Sequence, residues 1–278
     1  MKFSILAFAA ALAVATYAQD TTDVEIDDPV LVDTPVEDGG DDNGILVVGG
    51  KEAPKGQYTW TVNLRRSQGG SSFCGGSLIA PQYVLTAAHC VAGGKPAYVA
   101  VGTHFNSGTS DGEQIQVLSA TSHPGYSGDT LKGNDVAILK LARASKFAPI
   151  GLGKNPINGG ATAKLLGWGQ TSGPQGNPST VLKENDFTVV TNADCQAKLR
   201  TSNNFRGWTA QPTHICAGGV TGQAACFGDS GGPLVIGNTL IGDVSFGEPC
   251  AKGLPDVYGR VSAFKAFIDQ YAKGHTWV

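Results

Sequence analysis

The stretch Gly228-Asp229-Ser230-Gly231-Gly232-Pro233-Leu234-Val235-Ile236 joins a glycine-rich bend to a short apolar run. Similar runs of four to six residues, rich in Val, Ile and Leu, recur along the chain between Gly, Pro, Asn and Ser. They lie at 98–102, 114–118, 136–141, 187–190 and 240–245. Short strands separated by turn residues are typical of a β-sandwich or a pair of β-barrels. The sequence therefore predicts an all-β fold.

The last residues depart from this pattern and predict a helix over about 262–273. Ser262 stands where an N-cap is expected, and Lys273 and Gly274 are typical of a helix end. Four apolar side chains recur at i, i+3, i+4 and i+7, the spacing of one helix face. They are Phe264, Phe267, Ile268 and Tyr271. We expect this face to pack on the β core.

Residues 1–18 have the pattern of a secretory signal peptide. The charged start Met1-Lys2 precedes an apolar run over 3–15, and residues 16–18 offer a cleavage site. The run is too short to span a bilayer comfortably, and no other stretch approaches the ~20 apolar residues of a membrane helix. We therefore expect a protein that is secreted to the extracellular space and has no membrane partner.

Charge divides the rest of the chain at residue 46. Residues 19–46 hold ten acidic residues and no Lys or Arg, and we interpret them as an acidic pro-segment that is removed from the folded domain. Residues 47–278 hold 13 acidic and 19 basic residues, a net charge of +6. This excess is modest, unclustered and not interleaved with aromatic residues, which argues against a nucleic-acid partner.

The cysteine content agrees with export. An even number of cysteines in a secreted chain indicates disulfides. No C-x-x-C pair is present and the cysteines are widely spread, which argues against a zinc site. The residues alone leave 15 pairings of six cysteines open. The six are Cys74, Cys90, Cys195, Cys216, Cys226 and Cys250.

Ser230 lies in the glycine-rich bend that opens this section. The bend could be only a hairpin turn, because Asp-Ser-Gly-Gly is good turn chemistry. Alternatively, its glycines let the backbone N–H groups of Gly228 and Ser230 point together at a developing oxyanion while the serine hydroxyl stands exposed. That hydroxyl is a poor nucleophile unless a base within about 3 Å takes its proton. The second interpretation therefore requires a histidine.

His89 is the histidine that fits this requirement. It follows Leu85-Thr86-Ala87-Ala88, whose small residues leave room for an imidazole, and it precedes Cys90, which can fix the backbone. A base of this kind also needs a buried carboxylate to fix its tautomer. Asp135, just before the apolar run 136–141, is the candidate, although an Asp before a strand is commonly only a turn residue. The remaining histidines, interpreted as structural or solvated, are His104, His123, His214 and His275.

Three segments resemble the catalytic blocks of the chymotrypsin/trypsin (S1-type) serine proteases, in the same order and at similar spacing. They are Thr86–Cys90, Asn134–Leu141 and Gly228–Pro233. Further similarities to the family lie in Val47–Gly50, Cys74–Leu78, Gly167–Gly169 and Ser245–Gly247. The resemblance covers residues 47–278 and implies a secreted serine endopeptidase with His89, Asp135 and Ser230 as its triad and Gly228 and Ser230 as its oxyanion hole.

The resemblance implies a fold of two packed six-stranded antiparallel β-barrels with a C-terminal helix. The first barrel would occupy about 47–157 and the second about 158–261, with the active site in the cleft between them. It also implies a zymogen, in which cleavage after Leu46 frees the α-amino group of Val47 to pair with Asp229. The implied disulfides are Cys74–Cys90, Cys195–Cys216 and Cys226–Cys250.

The sequence departs from trypsin at the specificity pocket. Ala224 stands six residues before Ser230, where trypsins carry an aspartate, and Asp256 brings a carboxyl from another wall. This arrangement is similar to the broad-specificity collagenolytic serine proteases of crustaceans. We therefore predict that the pocket accepts basic and large apolar residues, with Ser245 and Gly247 at its walls. Pro249 could narrow the entrance.

No cofactor or metal is expected. A calcium loop occurs in part of the family, but Thr103 stands where a carboxylate ligand is expected, which leaves Glu113 with too few oxygen ligands. The expected partners of a monomeric protease are a protein or peptide substrate and an activating protease. Leu46 before the cleavage point favours an activator that prefers large apolar residues, or self-cleavage.

A binding protein on the same scaffold is the main alternative. Residues 99–104 and 111–114 resemble segments of the glucanase-inhibitor proteins that oomycetes secrete, which are protease homologues that bind glucanases and usually lack a triad residue. All three triad residues are present here, which favours a protease, but a captured secreted glycosidase stays open as a partner. An esterase is disfavoured because the Ser230 bend precedes a strand and the triad order differs.

Overall fold

A computed structural model describes residues 48–172, 176–248 and 250–278. The predicted signal peptide, the pro-segment, Val47 and Pro249 lie outside the described residues. Strands make up most of the regular secondary structure in the described residues, which confirms the all-β expectation. None of its helices is long and apolar enough to cross a membrane.

Strands alternate with turns almost to the end of the chain. The first seven strands are β1 Lys51–Glu52, β2 Thr61–Arg65, β3 Ser72–Ala80, β4 Tyr83–Thr86, β5 Tyr98–Val101, β6 Glu113–Ser122 and β7 Ala137–Leu141. The next seven are β8 Gly151–Leu152, β9 Thr162–Gly167, β10 Lys183–Val190, β11 His214–Gly218, β12 Pro233–Ile236, β13 Thr239–Phe246 and β14 Pro255–Arg260. The α-helices are α1 Asn192–Leu199 and α2 Lys265–Tyr271, and 3₁₀ turns span Thr130–Lys132, Asn203–Phe205 and Val261–Phe264.

Six strands close the first barrel in the order β2-β3-β4-β7-β6-β5. All of its pairings are antiparallel, and β2 joins β5 to complete the circle. Val62, Leu64, Leu78, Val99 and Leu139 are all buried. Closure leaves no free strand edge, so the barrel forms a firm support for the loops at its end.

The second barrel closes in the order β9-β10-β11-β14-β13-β12, again with antiparallel pairs. Leu165, Phe187, Ile215 and Tyr258 belong to its core. The two six-stranded barrels expected from the resemblance are therefore confirmed. Two short strands differ from the expected division, since β1 pairs with β10 and β8 pairs with β13, although both lie in the sequence range assigned to the first barrel.

The C-terminal helix is confirmed, but its beginning and its cap differ from the prediction. The 3₁₀ turn Val261–Phe264 comes first, because Arg260 still pairs with Gly242 in the sheet and the chain turns directly afterwards. Ser262 therefore lies inside this turn, and no side chain caps it or α2. The helix ends at Tyr271, which is 38% exposed, so only the other three predicted contact residues are fully buried.

Candidate active site

His89 lies in a tight turn just after β4. Cys90 N–H donates to the carbonyl of Ala87 at 3.2 Å, and a disulfide ties Cys90 to Cys74 on β3. Ala87 and Ala88 are fully buried, so the packed barrel fixes the backbone on which the imidazole stands. The imidazole itself keeps 26% of its surface exposed and faces open space.

Asp135 lies before β7, and three donors satisfy its carboxylate. One oxygen accepts the backbone N–H of His89 at 2.8 Å. The other contacts His89 Nδ1 at 2.7 Å and accepts the hydroxyl of Ser245 at 2.6 Å. Because a carboxylate can only accept, Nδ1 carries the proton of a neutral His89, which leaves Nε2 as an acceptor. The side chain of Asp135 is 1% exposed, so water scarcely competes for it.

The second barrel holds the loop that carries Asp135. Asn134 has a positive φ of 59°, and its N–H donates to Thr213 Oγ1 at 3.2 Å. His214 Nδ1 accepts the N–H of Gln211 at 3.0 Å, so Nε2 is the protonated nitrogen and donates to the Thr130 carbonyl at 3.3 Å. Burial lowers the pKa of His214 to about 4, which keeps it neutral. No sequence motif marks His214, whose positioning role depends on contacts between the barrels.

The Ser230 bend packs against the segment that leads to His89. The carbonyl of Ser230 accepts the N–H of Gly75 at 2.7 Å. Gly231 has a φ of 74°, and a Cβ there would lie 2.2 Å from Thr86 Oγ1, so only glycine permits this close approach. Cys90 Sγ lies 3.7 Å from His89 Nε2 and 3.6 Å from the Ser230 carbonyl oxygen. The fold thus brings the serine and the histidine to one place from different barrels.

Two backbone N–H groups of the bend donate no hydrogen bond to another described residue. Asp229 N–H donates to Cys226 at 3.0 Å, which closes the turn and leaves Gly228 at a φ of 102°. Within the described part of the chain, no hydrogen bond uses the N–H of Gly228 or of Ser230 as donor. These are the two groups that the sequence assigned to the oxyanion hole.

Asp229 is buried behind the bend. Its oxygens accept the N–H groups of Gly169 at 2.8 Å and Cys226 at 3.0 Å. Burial raises its pKa to about 6, against the lowering effect of these two bonds. Val48 is also buried, and its carbonyl accepts the N–H of Ala224 at 3.2 Å. The chain just after the predicted cleavage point therefore runs along the segment that leads to Ser230.

A pocket of about 250 Å³ opens beside Ser230. Of the residues that the sequence analysis assigned to a specificity pocket, Ser245, Gly247 and Asp256 line this cavity, whereas Ala224 is buried outside the lining. Sequence reasoning missed Phe227 and Glu248, which have no motif of their own and reach the pocket only through the fold. The other lining residues are Ala225, Cys226, Val244, Phe246 and Cys250.

The three disulfides have the pairing that the resemblance implied: Cys74–Cys90, Cys195–Cys216 and Cys226–Cys250. Cys74, His89 and Cys90 bring possible metal ligands within 4.8 Å of one another. The two sulfurs are bonded to each other, however, and a disulfide is not a thiolate ligand. This cluster therefore does not fit a metal ion.

The segment around Thr103 and Glu113, where part of the family has a calcium loop, is held by hydrogen bonds within the protein. Asp111 accepts the hydroxyl of Thr103 and, at 2.8 Å, the N–H of His104. Glu113 accepts Arg143 Nη1 at 2.8 Å and the hydroxyl of Ser145 at 2.6 Å. Both carboxylates therefore already have protein donors.

Comparisons with known proteins agree with this geometry. The sequence model of the family described as Trypsin matches residues 47–268. Glucanase inhibitor protein 2 of Phytophthora sojae is 40% identical over an alignment of 239 residues that covers 82% of this chain and 80% of that protein. Trypsin delta of Drosophila melanogaster is 35% identical over an alignment of 228 residues that covers 80% of this chain and 87% of that protein.

A solved structure of mouse neuropsin, a serine protease expressed in the limbic system of the brain, has the same fold. It superposes with a TM-score of 0.70 and 28% identity, over 80% of this chain and 97% of that chain. The family match spans both barrels and the residues around the pocket. This chain belongs to the trypsin family.

Proposed function

We propose that the protein is a secreted serine endopeptidase, with Ser230 as nucleophile, His89 as general base and Asp135 as the residue that orients His89. The observation that carries this proposal is the set of three hydrogen bonds that Asp135 accepts. They fix the tautomer of neutral His89 in which Nδ1 carries the proton and Nε2 is left to accept one. Ser230 is presented on a bend packed against the same segment. A binding scaffold would not need this tautomer.

The reaction would proceed in two acyl-transfer steps. Ser230 Oγ attacks the carbonyl carbon of the scissile peptide bond while His89 Nε2 accepts the hydroxyl proton. The N–H groups of Gly228 and Ser230 stabilise the oxyanion, and His89 then gives its proton to the leaving amine. Water repeats the sequence on the acyl-enzyme and releases the acid. Loss of one oxyanion donor should lower kcat by about 10²–10³.

Mixed specificity follows from the pocket. The P1 side chain, on the acyl side of the scissile bond, would enter beside Ser230. Val244 and Phe246 give it apolar walls, and Asp256 gives it one carboxyl group at depth. Large apolar residues fit these walls, whereas Lys or Arg would reach Asp256.

The protein would be made as a zymogen. Cleavage after Leu46 would free the α-amino group of Val47, and Val48 already lies beside Ala224. An ammonium group near Asp229 would compensate the charge of a buried carboxyl whose pKa is raised to about 6 by burial. The ion pair would order the Gly228 bend. Before cleavage we expect little activity.

The second candidate is a secreted binding protein that captures a glycosidase. Its support is sequence similarity: glucanase inhibitor proteins of Phytophthora sojae and Phytophthora infestans are 39–40% identical to this chain. The groups assembled around Ser230 favour the protease. A second binding function on the same surface would be compatible with both.

Active-site labelling tests the choice. The full chain, cut after Leu46, is treated with a fluorophosphonate probe beside Ser230→Ala and a control, Ser71→Ala, whose serine is exposed outside the pocket. We expect labelling of the parent and the control and none of Ser230→Ala. A folded, disulfide-bonded, correctly cut parent that does not react would overturn the protease and favour the binding protein.

A further inference from the structure

Asp256 lies at the base of the pocket in an unusual setting for an acid. It is 3% exposed and shares the pocket lining with Ser230. One carboxyl oxygen accepts the N–H of Ala225 at 2.7 Å. The other lies against the backbone of Gly247, where an added Cβ would stand 2.4 Å from it. The carboxyl is thus held in place by one backbone donor and by close packing.

No cation compensates Asp256 among the described residues. Its titratable neighbours are Asp229 on the segment before Ser230 and Tyr258 on its own strand. Glu248 lies at the same pocket and contacts the cation of Lys252, which is 62% exposed and 3.6 Å away. Burial, with a smaller contribution from the charge of Asp229, raises the pKa of Asp256 to about 8.

The empty pocket therefore holds a neutral carboxylic acid at neutral pH. A neutral acid at the base tolerates an apolar side chain above it, because binding that side chain does not remove a carboxylate charge from water. A lysine or arginine side chain instead needs the carboxylate, because its own buried charge must be paired. The two halves of the mixed specificity thus require different protonation states of one residue.

We propose that Asp256 keeps its proton when it receives a large apolar side chain and releases that proton to the solvent when it receives Lys or Arg, so that pH sets the ratio of the two activities. This inference rests on the proposed function and deepens it. It identifies Asp256 as a specificity-determining residue that selects between two substrate classes.

A quantitative relation follows. The rate constant kcat/KM for a basic substrate is proportional to the ionised fraction of Asp256, and that for an apolar substrate to the neutral fraction. Their ratio should therefore rise about tenfold per pH unit. The titration of His89 affects both substrates equally and cancels in the ratio. The slope thus reports on Asp256 alone.

The first experiment measures kcat/KM from pH 6 to pH 8 for two peptides that differ only in Arg or Leu at P1, with the full chain cut after Leu46. We expect the Arg-to-Leu ratio to rise about a hundredfold over this interval. Asp186→Asn, a matched control whose side chain is 59% exposed and lies outside the pocket, should keep this slope, whereas Asp256→Asn should give a low, flat ratio. A parent that cleaves both peptides at a ratio independent of pH overturns the inference and leaves the proposed function standing.

The second experiment needs no catalysis. Benzamidine, an amidinium probe, is titrated at pH 7 into the cut Ser230→Ala chain by calorimetry in two buffers of different ionisation enthalpy. We expect binding to release close to one proton, because the cation needs the carboxylate that the empty pocket lacks. Binding without proton release, or no binding at pH 7 and pH 9, contradicts the inference even if the protein is not a protease.

Discussion

Asp135 and Asp243 are two buried carboxyls near one strand, and their surroundings are opposite. Asp135 receives three hydrogen bonds from His89 and Ser245. Asp243 lies two residues before Ser245 on β13, is fully buried, and accepts no hydrogen bond from another described residue. Burial, then the charge of Asp135, raises the pKa of Asp243 well above its ordinary value. Convergent donors, and not burial, make a buried carboxyl useful as an anion.

The largest effect should come from Asp135→Asn. The amide keeps the shape of the carboxyl, but its NH₂ group cannot accept the proton of His89 Nδ1, so the imidazole takes the wrong tautomer. We expect kcat to fall by about 10⁴. Peptide hydrolysis by the cut chain measures it, with circular dichroism as a check on folding. A folded variant that loses less than tenfold would remove Asp135 from the catalytic role.

The next effect concerns His214, which holds the Asp135 loop. Its folded pKa of about 4 lies below the ordinary 6.5. Between these values the unfolded chain binds more protons, so stability is lost as pH falls through this window, by about 3 kcal/mol in all. Denaturant unfolding between pH 4 and pH 7 measures the loss. His214→Gln should flatten this dependence, and an unchanged slope in a folded variant would argue against the assignment.

Asp243→Asn should stabilise the protein, in contrast to the loss of activity expected from the same change at Asp135. The folded pKa of Asp243 is raised, so above pH 3.8 the folded chain keeps a proton that the unfolded chain releases, and its contribution to stability falls as pH rises. Replacing the carboxyl with an amide that does not titrate removes this proton linkage and should raise the free energy of unfolding at pH 7 by about 2 kcal/mol. The gain should shrink toward pH 4. A variant less stable than the parent at pH 7 would mean that Asp243 has a partner.

Ser245→Ala should have the smallest effect. It removes one of three donors to Asp135, and the two bonds from His89 remain. We expect kcat to fall about tenfold, the lower part of the range for a hydrogen bond to a charged group. Ser77→Ala is the matched control, because Ser77 is fully buried and its hydroxyl has no partner within the described residues. Equal activities of the two variants would make the Ser245 bond unimportant.

The sequence predicted the residues that depend on local pattern. His89, Asp135 and Ser230 each stand in a short motif, and the family resemblance supplied the two barrels and the disulfides. His214 and Asp243 could not be found this way, because their importance comes from residues far apart in the chain. The start of α2 was wrong for a related reason, since the sheet pairing of Arg260 fixes where the chain can first turn.

The pairing of β1 with β10 places β1 on the second barrel. Val48 and β1 both rest on the half of the molecule that carries Ser230 and the pocket. The structural effect of a cut after Leu46 therefore need not be transmitted to the first barrel. In the precursor we expect His89 and Asp135 to be aligned already, whereas the pocket around Asp256 should take its final shape only after the cut.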